Sequence, residues 1–132
     1  MAPALPTIKP VVWIGSARAD LRAFPEEVMD SIGFALYVAQ QGGKHADAKP
    51  LRGFSGAGVL EVITDHRGDT FRAVYTVRLA GRVYVLHAFQ KKSRAGVETP
   101  KAEINLIKSR LRRAEVEHAA WLERRKGAEQ HG

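Results

Sequence analysis

Alternating side chains over Phe71–Ser93 place the strongest constraint on the fold. The segment reads as two strands, with a tight turn at Ala80-Gly81 and a second strand at Val83–Gln90 that runs into Lys91-Lys92. Successive side chains of a strand point to opposite faces. The first strand therefore has two faces: Phe71, Ala73, Tyr75 and Val77 on one, and Arg72, Val74, Thr76 and Arg78 on the other. This pattern predicts an apolar hairpin with cations on one side and at one end.

Arg72 is the residue of this hairpin that most suggests a function. An arginine in a half-buried strand is costly unless an anion or a carboxylate meets it, and phosphate is the partner we favour. As a half-exposed side chain it is expected to contribute less than about 1 kcal/mol to stability. The alternative is that cations on exposed strands keep the chain soluble and protect sheet edges from pairing.

Length and charge indicate one folded domain with a polyanionic or acidic partner. The chain has 132 residues, 45% of them hydrophobic, and 21 Lys and Arg against 14 Asp and Glu, for a net charge of +7. We predict a single domain over 1–132, with tails at 1–10 and 126–132. No cysteine is present, which excludes disulfides and thiolate chemistry. We find no signal peptide or membrane-spanning stretch and expect a cytoplasmic protein without membrane contact.

Helix signals dominate the first third of the chain. Val11–Ile14 is a short apolar strand, Ser16 can cap a first helix, and Pro25 fits the first position of a second. Apolar residues of the second helix recur at helical spacing, at Val28, Ile32, Ala35, Leu36 and Ala39. Gly42-Gly43 ends that helix. Lys44–Gly58 is predicted to be a loop.

The remaining elements complete the order β-α-α-β-β-β-α. Val59–Thr64 is a strand, and Asp65–Asp69 turns the chain into the Arg72 strand. Pro100 opens a long, basic last helix. Its apolar stripe comprises Ile104, Ile107, Leu111, Ala114, His118 and either Trp121 or Leu122. The basic faces of this helix are most simply explained by exposure to solvent. The alternative is that they lie beside a partner-binding groove or flank a bound nucleic acid.

Metal and nucleophilic catalysis have little support. The five histidines show no metal-ligand spacing, and we predict neither a metal nor a cofactor. Arginine and lysine chemistry on phosphate remains. RNA cleavage uses the 2′-hydroxyl of the substrate as the nucleophile, so a protein needs only to orient it, move protons and stabilise charge. A compact group of Arg, Lys and a Tyr or His can do this.

Several short motifs in order resemble the RelE/ParE superfamily of toxins, and most closely its phage-derived Gp49-like, HigB-type branch. The motifs span residues 11 to 113 and are Trp13–Ser16, Ala48–Gly53, Gly58–Val62, Phe71–Tyr75, His87–Ser93, Thr99–Ile104 and Arg110-Leu111. The resemblance implies an α+β fold: a RelE-like small, mostly antiparallel sheet with an N-terminal helical pair and a C-terminal helix. It implies a type II toxin that cleaves mRNA, commonly on the translating ribosome. The expected partner is an antitoxin, a helix-turn-helix protein from a neighbouring gene.

The resemblance also suggests site residues. Arg72 matches the family's arginine on the third strand, which resembles a clamp on the transition-state phosphate. Lys91 and Lys92 match the basic end of the family's last strand. The predicted catalytic residues are Arg72, Lys91 and His87. The residues predicted to contact RNA are Lys49, Arg67, Arg78 and Lys92. Tyr75 matches the aromatic position of the family signature, and its parity favours the core.

Two departures from the family leave the general base open. Relatives often carry Lys or Arg on the second strand, where this chain has Leu60-Glu61-Val62-Ile63, and a C-terminal catalytic Tyr has no counterpart near Gly132. His66, His87, Lys49 or Arg67 could substitute, with His87 first. Two other functions stay open: a toxin of the same fold acting on another target such as DNA gyrase, and an inert domain that binds RNA or its antitoxin.

Overall fold

The chain forms a three-layer α+β structure with one five-stranded sheet between helices. The computed structural model describes residues 8–54, 56, 58–91 and 99–131. Its elements are β1 (Val11–Trp13), α1 (Ala17–Arg22), α2 (Glu26–Gln40), β2 (Ala48–Pro50), β3 (Val59–His66), β4 (Asp69–Thr76), β5 (Val83–Lys91) and α3 (Lys101–His131). The predicted α+β class, mostly antiparallel sheet and helix placement are confirmed.

The strand order in the sheet is β1-β5-β4-β3-β2, and only the β1–β5 pair is parallel. The predicted order of elements lacked β2. Lys44–Gly58 was expected to be a loop, but it contains this additional strand. Pro50 lies within β2, which is an edge strand. A proline is tolerated there because no neighbouring strand needs a hydrogen bond from its missing N–H. β4 also ends at Thr76 rather than reaching Arg78.

α1 and α2 cover one face of the sheet. The predicted apolar stripe of α2 is buried along its whole length, against a cluster that includes Val62, Ala73 and Tyr75 of the central strands. Gly42, at φ +87°, ends the helix in the left-handed region, as predicted. Tyr75 is fully buried in this layer, which agrees with its predicted core parity.

α3 covers the opposite face. Ile107 and Ala114 are fully buried against a second cluster that contains Val74, Tyr84 and Leu86. Trp121, rather than Leu122, continues the buried stripe, since its ring packs against Arg82 at 4.1 Å. α3 continues to His131, so residues 126–131 are helical. No helix among the described residues is long and apolar enough to cross a membrane.

The β3–β4 hairpin turns on Arg67 and Gly68, whose φ angles are +50° and +85°. Positive φ at both central residues is the geometry that suits the twist of a two-residue hairpin. Such a turn sets the register: Ile63 pairs with Arg72, and Glu61 pairs with Val74. Glu61 and Arg72 are therefore diagonal neighbours on one face of the sheet.

A β-bulge in the β4–β5 ladder decides which face His87 occupies. Val74 pairs with His87 but the next residue, Tyr75, pairs with Val85, so Leu86 is the extra residue on β5. Without the bulge, His87 would share the parity of Val85, which lies on the α1–α2 side. The bulge turns His87 to the α3 side.

Candidate functional site

The centre of the candidate site is an ion pair between Arg72 and Glu61. Nη1 of Arg72 donates to both carboxylate oxygens of Glu61, at 3.3 and 3.2 Å. The side chains are 3% and 10% exposed. In the structure Arg72 thus meets a carboxylate of the chain itself and not the phosphate that the sequence analysis favoured.

This burial corrects the expectation of a half-exposed arginine. Arg72 lies between β3 and β5 in the middle of the sheet, and α3 begins directly over this face. Removing one member of a buried ion pair costs far more than the loss of a surface pair, because the other charge stays behind without compensation. The expected contribution of less than about 1 kcal/mol is therefore too small.

Thr99, just before α3, closes the pair from above. Its Oγ1 donates to Oε2 of Glu61 at 2.9 Å and accepts from Nη1 of Arg72 at 3.1 Å. The three side chains form a closed triangle of hydrogen bonds. Access to Arg72 from this face consequently requires Thr99 and the start of α3 to move.

A pocket of about 450 Å³ opens beside the pair. Its lining residues are Lys49, Pro50, Leu51, Arg52, Glu61, Ile63, Thr99 and Ile104. Lys49 pairs with Glu61 across the β2–β3 ladder, so both side chains lie on the same face. The pocket thus has a carboxylate at its base and an exposed lysine at its rim.

Lys91 is on the same face of the sheet as Arg72. Thr70 pairs with Lys91 and Arg72 pairs with Phe89, and these two pairs are two residues apart on each strand. Residues two apart in a strand share a face. Lys92 lies outside the described residues.

Arg67 and Arg78 are not brought to the Arg72–Glu61 pair. Arg67 is an exposed residue of the β3–β4 turn. Arg78 follows the other end of β4, where its side chain lies against Gly58. Arg78 is two residues beyond the end of β4, and the four strand steps from Arg72 to Thr76 alone correspond to about 13 Å.

His87 lies in a second hydrogen-bonded group, formed with α3. Its Nε2 contacts Oε2 of Glu103, and its Nδ1 lies 3.2 Å from Nη1 of Arg110. A guanidinium can only donate, so Nδ1 accepts and the proton of a neutral His87 sits on Nε2, toward Glu103. His87 is 6% exposed. Both of its ring nitrogens are engaged.

Arg110 links this group to the loop after β1. Its guanidinium donates to the carbonyl oxygen of Leu86 and to the hydroxyl of Ser16, each at 3.0 Å. Ser16 in turn donates to the Asp20 carboxylate at 2.7 Å. The prediction that Ser16 caps α1 is wrong, because its side chain makes no hydrogen bond to the helix backbone. The resulting network connects α1, β5 and α3.

An aromatic pocket of about 590 Å³ lies on the other side of His87. Its walls include Phe24, Phe71 and Phe89, and the imidazole of His87 stacks on Phe89 with ring centres 4.9 Å apart. Flat aromatic surfaces of this kind suit nucleobases, which stack without sequence preference. Within the described ranges, no three His, Asp or Glu side chains converge to hold a metal ion.

Glu61, Thr99, Glu103 and Arg110 were not predicted as site residues. For Glu61 a signal was present, since the two-residue turn at Arg67-Gly68 sets the register that places it diagonally across from Arg72. Thr99 and the two α3 residues reach the sheet only through the docking of α3. No spacing in the sequence shows where that helix lies.

Fold and site together define a small α+β protein whose sheet carries an arginine–carboxylate pair beneath a C-terminal helix. A family model described as phage-derived protein Gp49-like (DUF891) matches residues 19–112. The match covers well over half of the chain, and the chain belongs to this Gp49-like family. Family membership indicates a toxin–antitoxin-related protein. No curated protein sequence matches the chain significantly.

Proposed function

We propose that this chain is the toxin of a type II toxin–antitoxin module and that it cleaves mRNA in the cytoplasm, on the translating ribosome, without a metal. The observation that carries the proposal is the Arg72–Glu61 pair at the edge of the Lys49 pocket. A guanidinium beside a carboxylate combines a phosphate clamp with a proton acceptor. The Gp49-like family and the net charge of +7 support the same function.

The proposed cleavage reaction uses a small number of side chains. The 2′-oxygen of the nucleotide attacks phosphorus as its proton passes to Glu61, and the bond from phosphorus to the 5′-oxygen breaks, which leaves a 2′,3′-cyclic phosphate. Arg72 stabilises the extra negative charge on the phosphate oxygens. Lys91, on the same face, is the second cation in reach.

His87 is assigned the leaving group rather than the general base. Its Nδ1 accepts from Arg110 and its Nε2 carries the proton, so the neutral form has no free lone pair with which to take the 2′-proton. When Nδ1 takes a proton from solvent in place of its contact with Arg110, the imidazolium can give its Nε2 proton to the 5′-oxygen and become neutral, while Glu103 orients Nε2. Lys49 and Lys92 are proposed to contact the RNA backbone, and Arg67 and Arg78 to steer it from a distance.

This chemistry requires that RNA displace Thr99 from the Arg72–Glu61 pair. Phosphate oxygens can replace the Thr99 contact with Arg72, since they accept hydrogen bonds from the same nitrogen. A cognate antitoxin, a helix-turn-helix protein from a neighbouring gene, would restrain the toxin in the cell.

The direct test is to map RNA 5′ ends on translated messages after controlled induction of the chain in a bacterial host. We expect new 5′-hydroxyl ends inside open reading frames and growth arrest, both relieved by the neighbouring antitoxin. Lys49→Ala serves as a surface variant that should weaken cleavage, and Val116→Ala on the outside of α3 as one that should not. Growth arrest without new RNA ends, together with DNA damage, would favour a gyrase target instead.

One observation favours a second candidate, a catalytically inert domain that binds RNA or its antitoxin. The Arg72 side chain is buried and its guanidinium is engaged by Glu61 and Thr99, which is also the arrangement of a purely structural ion pair. Under that reading, induction of the folded chain produces neither RNA ends nor arrest.

A further inference from the structure

The outer face of α2 carries a stripe of side chains that the rest of the described chain leaves mostly exposed, although the His45 ring meets Phe34 edge-on with ring centres 5.6 Å apart. Asp30, Gly33, Phe34 and Tyr37 follow the spacing of one helix face, and the buried stripe of α2 lies on the opposite side. Phe34 is 58% exposed and Tyr37 44% exposed. Two large aromatic side chains exposed side by side on one stripe are typical of an interaction surface.

Gly33 has no evident role in the part of the chain that the structure describes. Glycine inside a helix is destabilising relative to alanine, because it gains conformational freedom when the chain unfolds. A Cβ at position 33 would meet nothing within 4 Å, and its backbone φ is not in the left-handed region. Because Gly33 has no side chain, it leaves a hollow on the exposed face of the helix, next to the large side chain of Phe34.

Charge along this face changes from one end to the other. α2 contains no Lys or Arg, and its carboxylates, Glu26, Glu27 and Asp30, are all in its first half. Cations lie beyond its other end: Lys9, whose backbone is hydrogen bonded to Gln40, and the exposed Lys44. Two such helices attract each other when they run antiparallel, since each acidic half then meets a basic end.

We propose that the α2 stripe binds the same stripe of a second copy, in an antiparallel helix pair with a two-fold axis between Gly33 and Phe34. In this register each Phe34 ring fills the hollow over Gly33 of the other copy. Each Tyr37 lies opposite an Asp30, to whose carboxylate its hydroxyl can donate. Glu26 lies opposite Gln41, close to Lys9 of the other copy.

Self-complementarity is what favours a second copy over a different protein. A two-fold interface requires one patch to supply both halves of every contact. Here a large side chain, Phe34, is next to a hollow at Gly33, the donor Tyr37 is two helical turns from the acceptor Asp30, and an acidic end is balanced by a basic one. A single helix pair is a small interface, so we expect a dissociation constant in the micromolar range, about 1–100 μM.

Sedimentation equilibrium of the purified full-length chain over this concentration range tests the proposal. We expect a reversible monomer–dimer equilibrium. Phe34→Ala and Tyr37→Ala should each weaken it about tenfold or more, because large aromatic anchors carry most of the energy of small interfaces. Val116→Ala is the matched control, since Val116 is 72% exposed but lies on α3, and it should leave the equilibrium unchanged.

Gly33→Leu separates the interface from the fold. The new side chain enters open space in a single copy and favours the helix, so the unfolding midpoint should not fall. The same side chain fills the hollow, and dimerisation should weaken about tenfold or more. A role of Gly33 in folding alone would lower the midpoint instead.

Disulfide trapping tests the register, because the chain has no cysteine of its own. Glu26→Cys and Gln41→Cys, combined in one chain, should give a covalent dimer on oxidation. Within one helix these positions are about 22 Å apart and cannot join. Each single variant should remain largely uncrosslinked, since two copies of the same position are equally far apart in the proposed pair.

Three results would overturn the proposal. The first is a chain that stays monomeric throughout the concentration range. The second is a dimer that Val116→Ala weakens as much as Phe34→Ala does. The third is a monomer whose Phe34→Ala and Tyr37→Ala variants lose protection by the neighbouring antitoxin, which would assign the stripe to a different protein.

Discussion

The hydroxyl of Tyr84 on β5 lies 3.0 Å from Nδ1 of His118 on α3, and both side chains are buried. The ring of His118 meets that of Tyr84 edge-on and also contacts Trp121. Trp121 is in turn flanked by the guanidinium groups of Arg82 and Arg125, at 4.1 and 4.8 Å. This cluster attaches the second half of α3 to the sheet, far from Thr99 and the Arg72–Glu61 pair.

The first prediction concerns acid stability. Burial, followed by the charge of Arg82, lowers the pKa of His118 below its ordinary value of 6.5. His118 in the unfolded chain therefore takes up a proton before His118 in the folded chain does. Its contribution to stability is present above pH 6.5 and is lost as the pH falls through the folded-state pKa. We expect the urea midpoint to fall below pH 6.5, and NMR titration of the His118 ring to give a low pKa.

His118→Gln is the matching variant, since its amide can still accept from Tyr84 but does not titrate in this range. The acid decline of its urea midpoint should be shallower than that of the wild type. His66 is the control histidine: it lies near the surface beside Glu27, and His66→Gln should keep the acid decline that is due to His118. Equal declines in all three proteins would show that His118 is not the responsible group.

The second prediction separates stability from chemistry at the Arg72–Glu61 pair. Arg72→Met or Glu61→Leu alone leaves one charge buried without its partner and should cost about 3–5 kcal/mol of unfolding free energy. The double variant removes both charges and should recover most of that loss, because apolar side chains can replace a buried pair at little cost. Urea unfolding of the four proteins in a double-mutant cycle measures the coupling.

The same double variant should be inactive against RNA although it is folded. Arg72→Ala alone does not serve this purpose, because it leaves the charge of Glu61 buried without its partner. A folded double variant that still arrests growth or still produces RNA ends would exclude Arg72 as the phosphate clamp. Additive single losses with no coupling would mean that the pair does not form in solution.

Much of the sheet could be predicted from side-chain alternation and turn residues. β3, β4 and β5 follow from alternating apolar positions and from the glycine-containing turns at Gly68 and Gly81. β2 could not, because three residues that include a proline resemble a loop. The bulge at Leu86 leaves no mark in the pattern either, although it decides which face His87 occupies.

The third prediction concerns Tyr75. Its hydroxyl is buried and has no hydrogen-bond partner among the described residues, an arrangement that costs free energy. Tyr75→Phe removes that group and keeps the ring, so the unfolding free energy at pH 7 should rise by about 1 kcal/mol. Guanidinium unfolding measures this, and Tyr84→Phe is the contrasting variant, since it deletes a hydroxyl that is paired with His118 and should destabilise.

Alkaline pH gives a second readout of Tyr75. Burial raises its pKa from 10.0 to about 12. Between these values the unfolded chain loses the proton and the folded chain keeps it, so stability falls as the pH rises. The loss amounts to about 2–3 kcal/mol at pH 12, at about 1.4 kcal/mol per pH unit. Tyr75→Phe should remove this part of the alkaline decline, and an unchanged decline would refute the assignment.

The fourth prediction tests how Arg110 is held. Gly15 has φ +57°, and a Cβ there would lie 2.9 Å from Nε of Arg110. Gly15→Ala should therefore add a steric conflict to the cost of a left-handed backbone, for about 2 kcal/mol in all. Gly42→Ala is the control, because Gly42 has φ +87° but open space around it. It should lose less stability than Gly15→Ala in urea unfolding and should leave the NMR signals of the His87 ring in place.

The last prediction compares two cations on the same hairpin. Lys91 shares the face of Arg72, whereas Arg78 lies beyond the far end of β4. Lys91→Ala and Arg78→Ala should both weaken RNA binding through lost counterion release, each lowering the salt slope by about one unit. Only Lys91→Ala should also slow single-turnover cleavage at saturating RNA, because only a cation near the scissile phosphate stabilises the charge that develops there. Rapid-quench cleavage and salt-dependent binding on one RNA separate the two effects. Equal, purely electrostatic losses from both variants would mean that Lys91 steers RNA and takes no part in the chemistry.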